Sequence, residues 1–345
     1  MLARTSRTLG LVALVAAVLA ILAALSALSH GPRGDASLEL DAVPVPLDAS
    51  DPSRSVVGPL RYLGGLWLRS SDPRFGGLSD LRVSPDGARL LAVSDCGQGF
   101  TASLSYGEGG RLAGVAHPRL VALAGPASGP LGFGESDAES LVAGEELEVA
   151  FEGRRGGLRA YAVTPPFAGP SRPLPWPAGA RSCGSNGGIE TMVATGDGRR
   201  LLVCEARRGA SSTVPAWVGR GETWTERDYA LTFEGGWAGE PFRPTGAALL
   251  PDGDLLFVER RFPPIGARLA RLPRASLDGA GPLAPREIAR FDSPLTLDNF
   301  EGVEARRDAT GRTLVYLLSD DNNCAKNTGT PALQRTLLLM FALGD

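Results

Sequence analysis

Acidic residues recur at matching places along this chain. Four apolar runs open on an acid, at Asp80, Glu139, Glu190 and Glu301, and a fifth opens on Thr245. Each run meets a turn rich in Gly, Asp or Pro. A second apolar run follows and ends on another acid: Asp95, Glu152, Glu205, Glu259, and Asp320 with Asp321 beside it. Carboxylates brought together in a narrow space either take up protons or need a cation. An all-oxygen donor set suits a hard divalent ion, Ca²⁺ above all, with Mg²⁺ and Mn²⁺ behind it. Asn186, Asn299, Asn322 and Asn323 lie in the same loops and add neutral oxygens. The expected metal ligands are Asp80, Glu139, Glu190, Glu301, Asp320 and Asn322. The competing reading leaves each strand-end acid solvated or holding a neighbouring backbone amide.

Arginines follow three of these acids, at Arg154–Arg155, Arg207–Arg208 and Arg260–Arg261, and Lys326 follows the last. Guanidinium forks match phosphate and carboxylate oxygens. Arg207, Arg208, Arg260, Arg261 and Lys326 are therefore expected to bind an anionic, phosphorylated small molecule; alternatively they neutralise the adjacent acids. Glu190, Glu301 and Glu205 are the candidate catalytic carboxylates. The chain has 2 histidines, His30 and His117, so a Ser-His-Asp triad lacks a base and a His-rich metal site is excluded. No nucleophile elbow or phosphate-binding glycine loop is present, and neither nucleotide nor haem is expected. A hydrolase built from these residues must work through a metal and a carboxylate.

The elements that position the acids are short strands. The copies read "GLSDLRVSPDGARLLAVSDCGQ" from Gly77, "DAESLVAGEELEVAFEGRR" from Asp137, "GIETMVATGDGRRLLVCEARR" from Gly188, "PTGAALLPDGDLLFVERRF" from Pro244 and "DNFEGVEARRDATGRTLVYLLSDDNN" from Asp298. "PDG" and "GDG" are hairpin turns. A strand-rich unit repeating every 50 to 60 residues predicts an all-β propeller of five four-stranded blades, with six left open. "LRAYAVT" from Leu158 and "TWTERDYALTF" from Thr223 supply outer strands. "LRYLGGLWLRS" before the first copy and "LQRTLLLMFAL" after the last are expected to share one blade and close the ring. The alternative is a β-sandwich with accidental similarity. In a propeller the innermost strand starts where the second strand ends, so both sets of acids meet at one mouth of the central channel.

The 345 residues are 43% hydrophobic and 21% charged with a net charge of −3, which argues against a nucleic-acid partner. The 45 glycines and 27 prolines punctuate the whole length and leave little room for long helices. Arg4 and Arg7 precede an apolar run from Leu9 to about Leu28, with "ALS" at its end. Residues 1–30 are read as a signal peptide or an uncleaved membrane anchor, 31–55 as a linker and 56–345 as the propeller. Either N-terminus exports the rest to the periplasm or the cell exterior, and a monomer is expected. Export permits disulfides, and position in the blades predicts Cys183–Cys204 and Cys96–Cys324.

Three stretches carry a resemblance to a known family: "FGGLSDLRVSPDGARLLAVSD", "GIETMVATGDGRRLLVCEA" and "DNFEGVEARRDATGRTLVYLLSDDNN". They resemble the phytase-like family described as "esterase-like activity of phytase", from about Tyr62 to the C-terminus. The resemblance implies an exported β-propeller, often bacterial, with phosphoester or ester hydrolase activity. It marks Glu190, Glu205, Glu301, Asp320 and Asn322 as the matching positions. The fourth copy departs from the pattern at Thr245. A non-catalytic ligand- or protein-binding propeller with a structural metal is the alternative to the hydrolase.

Overall fold

The computed structural model describes residues 36–132, 134–153, 155–183, 187–206, 211–233, 240–323 and 334–344. The chain falls into two units, Met1–Gly34 and Asp35–Asp345, and the described residues belong to the second. The expected signal or anchor therefore lies outside them. No helix among the described residues is long and apolar enough to cross a membrane.

Asp35–Asp345 forms five antiparallel sheets, one per blade. Blades one to four run in chain order from the axis outward, with innermost strands Leu78–Val83, Ala138–Ala143, Ile189–Ala194 and Arg243–Leu249. The innermost strand of blade five is Asn299–Arg307, followed by Thr313–Asp320 and Thr336–Leu343. The N-terminal strand Leu60–Arg69 completes this blade by pairing with Thr336–Leu343, Leu66 opposite Leu338. The five-bladed ring and its closure by both chain ends are as the sequence predicts. Residues 36–44, within the segment read as a linker, add two short strands: Ala36–Ser37 on the outer edge of blade one and Asp41–Pro44 beyond Leu60–Arg69.

The strands form because apolar residues alternate between the two faces of each blade and bury both against neighbouring blades. The core lies in these interblade seams. Met192, Leu202 and Phe257 pack between blades three and four, and Leu269, Phe300 and Phe341 between blades four and five. Leu81, Phe100 and Tyr316 join blades five and one, and Val93, Leu141 and Phe151 join one and two. Each such side chain contributes about 1.5–3 kcal/mol on leaving water.

Where the five innermost strands converge, there is little room for side chains. A Cβ on Gly246 would lie 2.2 Å from the Glu301 carbonyl oxygen, and one on Gly302 would lie 2.8 Å from a Leu81 methyl. Asp80 and Arg82 fill the axis at this level. Arg82 Nη1 donates to Asp80 Oδ1 at 3.0 Å and to the Val303 carbonyl at 3.2 Å. Its Nη2 reaches the carbonyls of Met192 and Ala247, each at 3.4 Å. Asp80 Oδ2 accepts from the Leu141 N–H at 2.8 Å and the Ser140 hydroxyl at 3.1 Å. Glu304 adds a second carboxylate 3.5 Å from Arg82 Nε. This polar plug ties all five blades together and separates the two ends of the channel.

Candidate functional site

Each innermost strand carries a β-bulge near its start, which places one extra residue opposite the second strand. In blade two the pairing jumps from Ala138–Phe151 to Ser140–Ala150, leaving Glu139 extra. The same jump isolates Glu190, Thr245 and Glu301 in blades three, four and five. In blade one Leu78 pairs Ser94 and Asp80 pairs Val93, so the extra residue is Ser79. Asp80 is therefore not the counterpart of the glutamates. It sits one residue deeper, level with Ser140, Thr191, Gly246 and Gly302, and belongs to the plug.

A second correction follows from the register. Ser94, Phe151, Cys204, Glu259 and Ser319 occupy equivalent positions at the end of the second strand. The residues after them are Asp95, Glu152, Glu205, Arg260 and Asp320. The fourth blade thus presents an arginine at the mouth, not Glu259. Glu259, on the second strand of blade four, is fully buried; Tyr229 of blade three donates to it at 2.6 Å and Arg268 pairs with its other oxygen.

The bulges aim Glu139, Glu190 and Glu301 at the axis, and the second-strand acids surround them. Asp137, Glu139 and Glu152 each offer a carboxylate oxygen within 4.8 Å of the others. Burial, then Glu190 and Glu301, hold the carboxyl of Glu139 well above the ordinary glutamate range. Glu190 is raised as strongly, by burial, then Glu205, Glu152 and Glu301, with Arg260 opposing. Burial pushes Glu301 up to about 7, against the pull of Arg260. Asp320 is raised well above its ordinary range by burial, then by Glu301 and Asp95.

Arg260 is the cation built into this cluster. Its Nη2 lies 3.1 Å from Glu205 Oε1 and 3.4 Å from Glu301 Oε1. Burial alone would lower its pKa, but Glu301, Glu205 and Glu190 outweigh burial and raise it. Asn299 Nδ2 donates to Glu301 Oε1 at 2.7 Å. Glu152 Oε1 accepts the backbone N–H groups of Gly187 and Gly188, which fixes that carboxylate. Among the described residues no donor hydrogen-bonds to the carboxylates of Glu139 or Glu190.

Of the remaining expected site residues, Asp320 belongs to the mouth, while the side chains of Asn322 and Arg261 turn to other partners. Asp320 Oδ1 accepts the Asn322 N–H at 2.7 Å, while the Asn322 amide donates to Gln334 at 2.7 Å on the exposed side. Asp321 Oδ1 accepts the Gly77 N–H at 2.8 Å and ties blade five to blade one. Arg261 points away from the mouth, 3.3 Å from Asp292, with its guanidinium 4.8 Å from the Phe242 ring centre. Asn186, Arg154, Arg207, Arg208 and Lys326 lie outside the described residues. Cys183 and Cys204 form a disulfide with their Cα atoms 5.8 Å apart, which fastens the approach to blade three beside Glu205. Cys96 is also disulfide-bonded; Cys324, its expected partner, lies outside the described residues. His117 is on the fourth strand of blade one, remote from the axis.

Asp137, which precedes the blade-two strand, and Glu152 were not among the expected ligands, although both carry acids at the mouth. Arg82 and Glu304 were missed as well. They occupy one equivalent position in blades one and five, where blades two to four have Val142, Val193 and Ala248. A charge in a column of small aliphatics was the available signal.

The solved structures similar to this chain are distant. An endo-arabinase from Bacteroides thetaiotaomicron is 12% identical, with a TM-score of 0.44, over 77% of this chain and 93% of that one. A PQQ-bound aldose sugar dehydrogenase from Streptomyces coelicolor is 13% identical, with a TM-score of 0.39, over 91% and 99% of the two chains. A luciferin-regenerating enzyme is 10% identical, with a TM-score of 0.40, over 88% and 98%. No curated protein matches the chain. Residues 73–323, well over half the sequence and all five innermost strands, match the family described as phytase-like, esterase-like activity of phytase, and the chain belongs to that family.

Proposed function

We propose that the carboxylate mouth binds a divalent cation, Ca²⁺ above all, and hydrolyses phosphate esters or other esters in an exported compartment. One observation carries this reading: Asp137, Glu139 and Glu152 bring carboxylate oxygens within 4.8 Å of one another at the channel mouth. The donor chemistry fits a hard ion, because the oxygens are anionic, pre-gathered and, at Glu139, without a hydrogen-bond donor among the described residues. Asp137, Glu139 and Glu152 would hold it. Such an ion supplies charge neutralisation and Lewis acidity to an anionic ester.

The chain's own residues cover the other requirements. Glu301, raised to about 7 by burial, exchanges a proton near neutral pH, which suits general acid–base work. Glu190 and Glu205 border it, and Arg260 stands between Glu205 and Glu301 where it can meet an anionic oxygen. Disulfides persist in oxidising compartments, and Cys183–Cys204 supports export.

The test is hydrolysis of p-nitrophenyl phosphate and p-nitrophenyl butyrate by the purified protein, with EDTA and with added Ca²⁺. Turnover that needs Ca²⁺ and fails in Glu190→Gln supports the hydrolase. Absence of turnover under every condition removes it. A second reading, a ligand-binding propeller with metal as structural cement, is favoured by the use of Glu152 to hold two backbone amides. It predicts that EDTA lowers the melting temperature and that no ester is turned over.

A further inference from the structure

The opposite end of the channel carries a second cavity, of about 770 Å³, within the range of small-molecule sites. It lies among the turns that join innermost and second strands in blades one, two, four and five. Its inner end is the underside of the plug, Arg82 and Glu304. Its walls are apolar: Leu147 is fully buried, and Leu91 and Leu249 are half-buried.

The rim has the opposite charge to the carboxylate mouth. It carries Arg89, Arg306 and Arg307. Arg306 is fixed, its Nε donating to the Tyr316 hydroxyl at 3.1 Å and its guanidinium lying over the Tyr106 and Tyr316 rings. Arg89 and Arg307 are exposed, and no ion pair holds either guanidinium among the described residues. Asp86, the nearby acid, accepts the Ser84 hydroxyl and the Ala88 N–H, and these bonds, with the charge of Arg89, hold its carboxyl below the ordinary range. Glu304 faces Arg82, which it shares with Asp80, and accepts the Ala305 N–H at 2.8 Å.

We propose that this cavity binds a small organic anion, with an apolar body against Leu91, Leu147 and Leu249 and its anionic group at Arg89 and Arg307. The rim supplies charge-assisted donors and the walls supply water-excluding surface. Neither feature alone selects such a molecule: inorganic phosphate would leave the walls wet, and a neutral alcohol would leave the arginines unused. The site is independent of the carboxylate mouth, because the plug separates the two.

The test is fluorescence titration of the full chain with anilinonaphthalene sulfonate, comparing native protein with Arg89→Glu/Arg307→Glu so that binding elsewhere cancels. The native protein is expected to show a saturable component that the double variant weakens about tenfold or more. Decanoate should displace it, whereas decanol and inorganic phosphate should not. Leu249→Trp, which fills the cavity without touching charge, should weaken it too, while Glu190→Gln at the other mouth leaves it intact. Equal binding by native protein and double variant overturns the proposal, as does displacement by decanol or phosphate as effective as that by decanoate.

Discussion

The guanidinium of Arg260 lies 3.4 Å from the carboxylate of Glu301, across the seam between blades four and five. Arg260 stands where the other four blades present an acid, so the ring of carboxylates carries its own counter-charge. An internal cation competes with an external one. Replacing Arg260 with Gln should push Glu301 further above about 7 and enlarge the rise in melting temperature that Ca²⁺ produces. Differential scanning calorimetry with EDTA and with Ca²⁺ checks this; a smaller Ca²⁺ response in the variant contradicts it.

The acids at the mouth contribute to the pH dependence of stability in the same direction as the plug carboxyls Asp80 and Glu304, which burial raises to about 6 and about 7. Glu139, Glu190, Glu301 and Asp320 all have folded pKa values above their unfolded ones. The folded state therefore binds more protons than the unfolded state, and stability falls as pH rises. For Glu301 the contribution is fully present below its ordinary value and is lost as pH climbs to about 7. In EDTA, urea denaturation at a series of pH values should show stability decreasing from about pH 4.5 to pH 7. Saturating Ca²⁺ should flatten that slope. A metal-free protein that grows more stable across this window would contradict the cluster.

Glu139→Gln and Glu190→Gln keep shape and remove charge from two carboxyls that burial and neighbouring acids hold well above the ordinary glutamate range. Each should raise the metal-free melting temperature at pH 8 by a few degrees, since a chain of this size gains about 2–4 °C per kcal/mol. Each should also remove the Ca²⁺ response and lower any ester turnover by about 100-fold or more. Thermal unfolding and initial rates on the same preparations separate the two effects.

The plug offers a test at the axis. Arg82→Met leaves Asp80 fully buried without its cation, and breaking such a pair costs about 3–5 kcal/mol. Asp80→Asn keeps the hydrogen bonds to Leu141 and Ser140 and should cost less. Denaturant midpoints rank the two variants, and the reverse order would show that the hydrogen bonds dominate.

The disulfide beside Glu205 closes a loop between residues 21 positions apart. Cys183→Ser/Cys204→Ser should lose about 3 kcal/mol by the loop-entropy relation. Reduced native protein should match the double variant in urea unfolding, apart from any contribution of the Cys96 bond.

The repeat was legible because strand starts and hairpin turns recur at one spacing, and that spacing alone gives five blades closed by the chain ends. The register was not. A bulge adds one residue without any compositional mark, so Asp80 shares the sequence pattern of Glu139 although Ser79 is the structural counterpart of Glu139. The same slip of one residue put Glu259 at the mouth in place of Arg260. Asp137 escaped notice because it lies before its strand, where an acid reads as solvated. Arg82 and Glu304 are far apart in sequence, in the first and fifth blades, and only ring closure makes them neighbours.

Closure of the ring also has an order in time. Leu60–Arg69 is made before the four blades that follow it and cannot complete its own blade until Thr336–Leu343 has been made after them. Glu301 and Asp320 belong to that same blade. The mouth therefore has no assembled form in a growing chain. Its carboxylates stay dispersed and become a cluster only after Thr336–Leu343 has joined Leu60–Arg69. Truncating either terminus should then leave four ordered blades with no axis to surround.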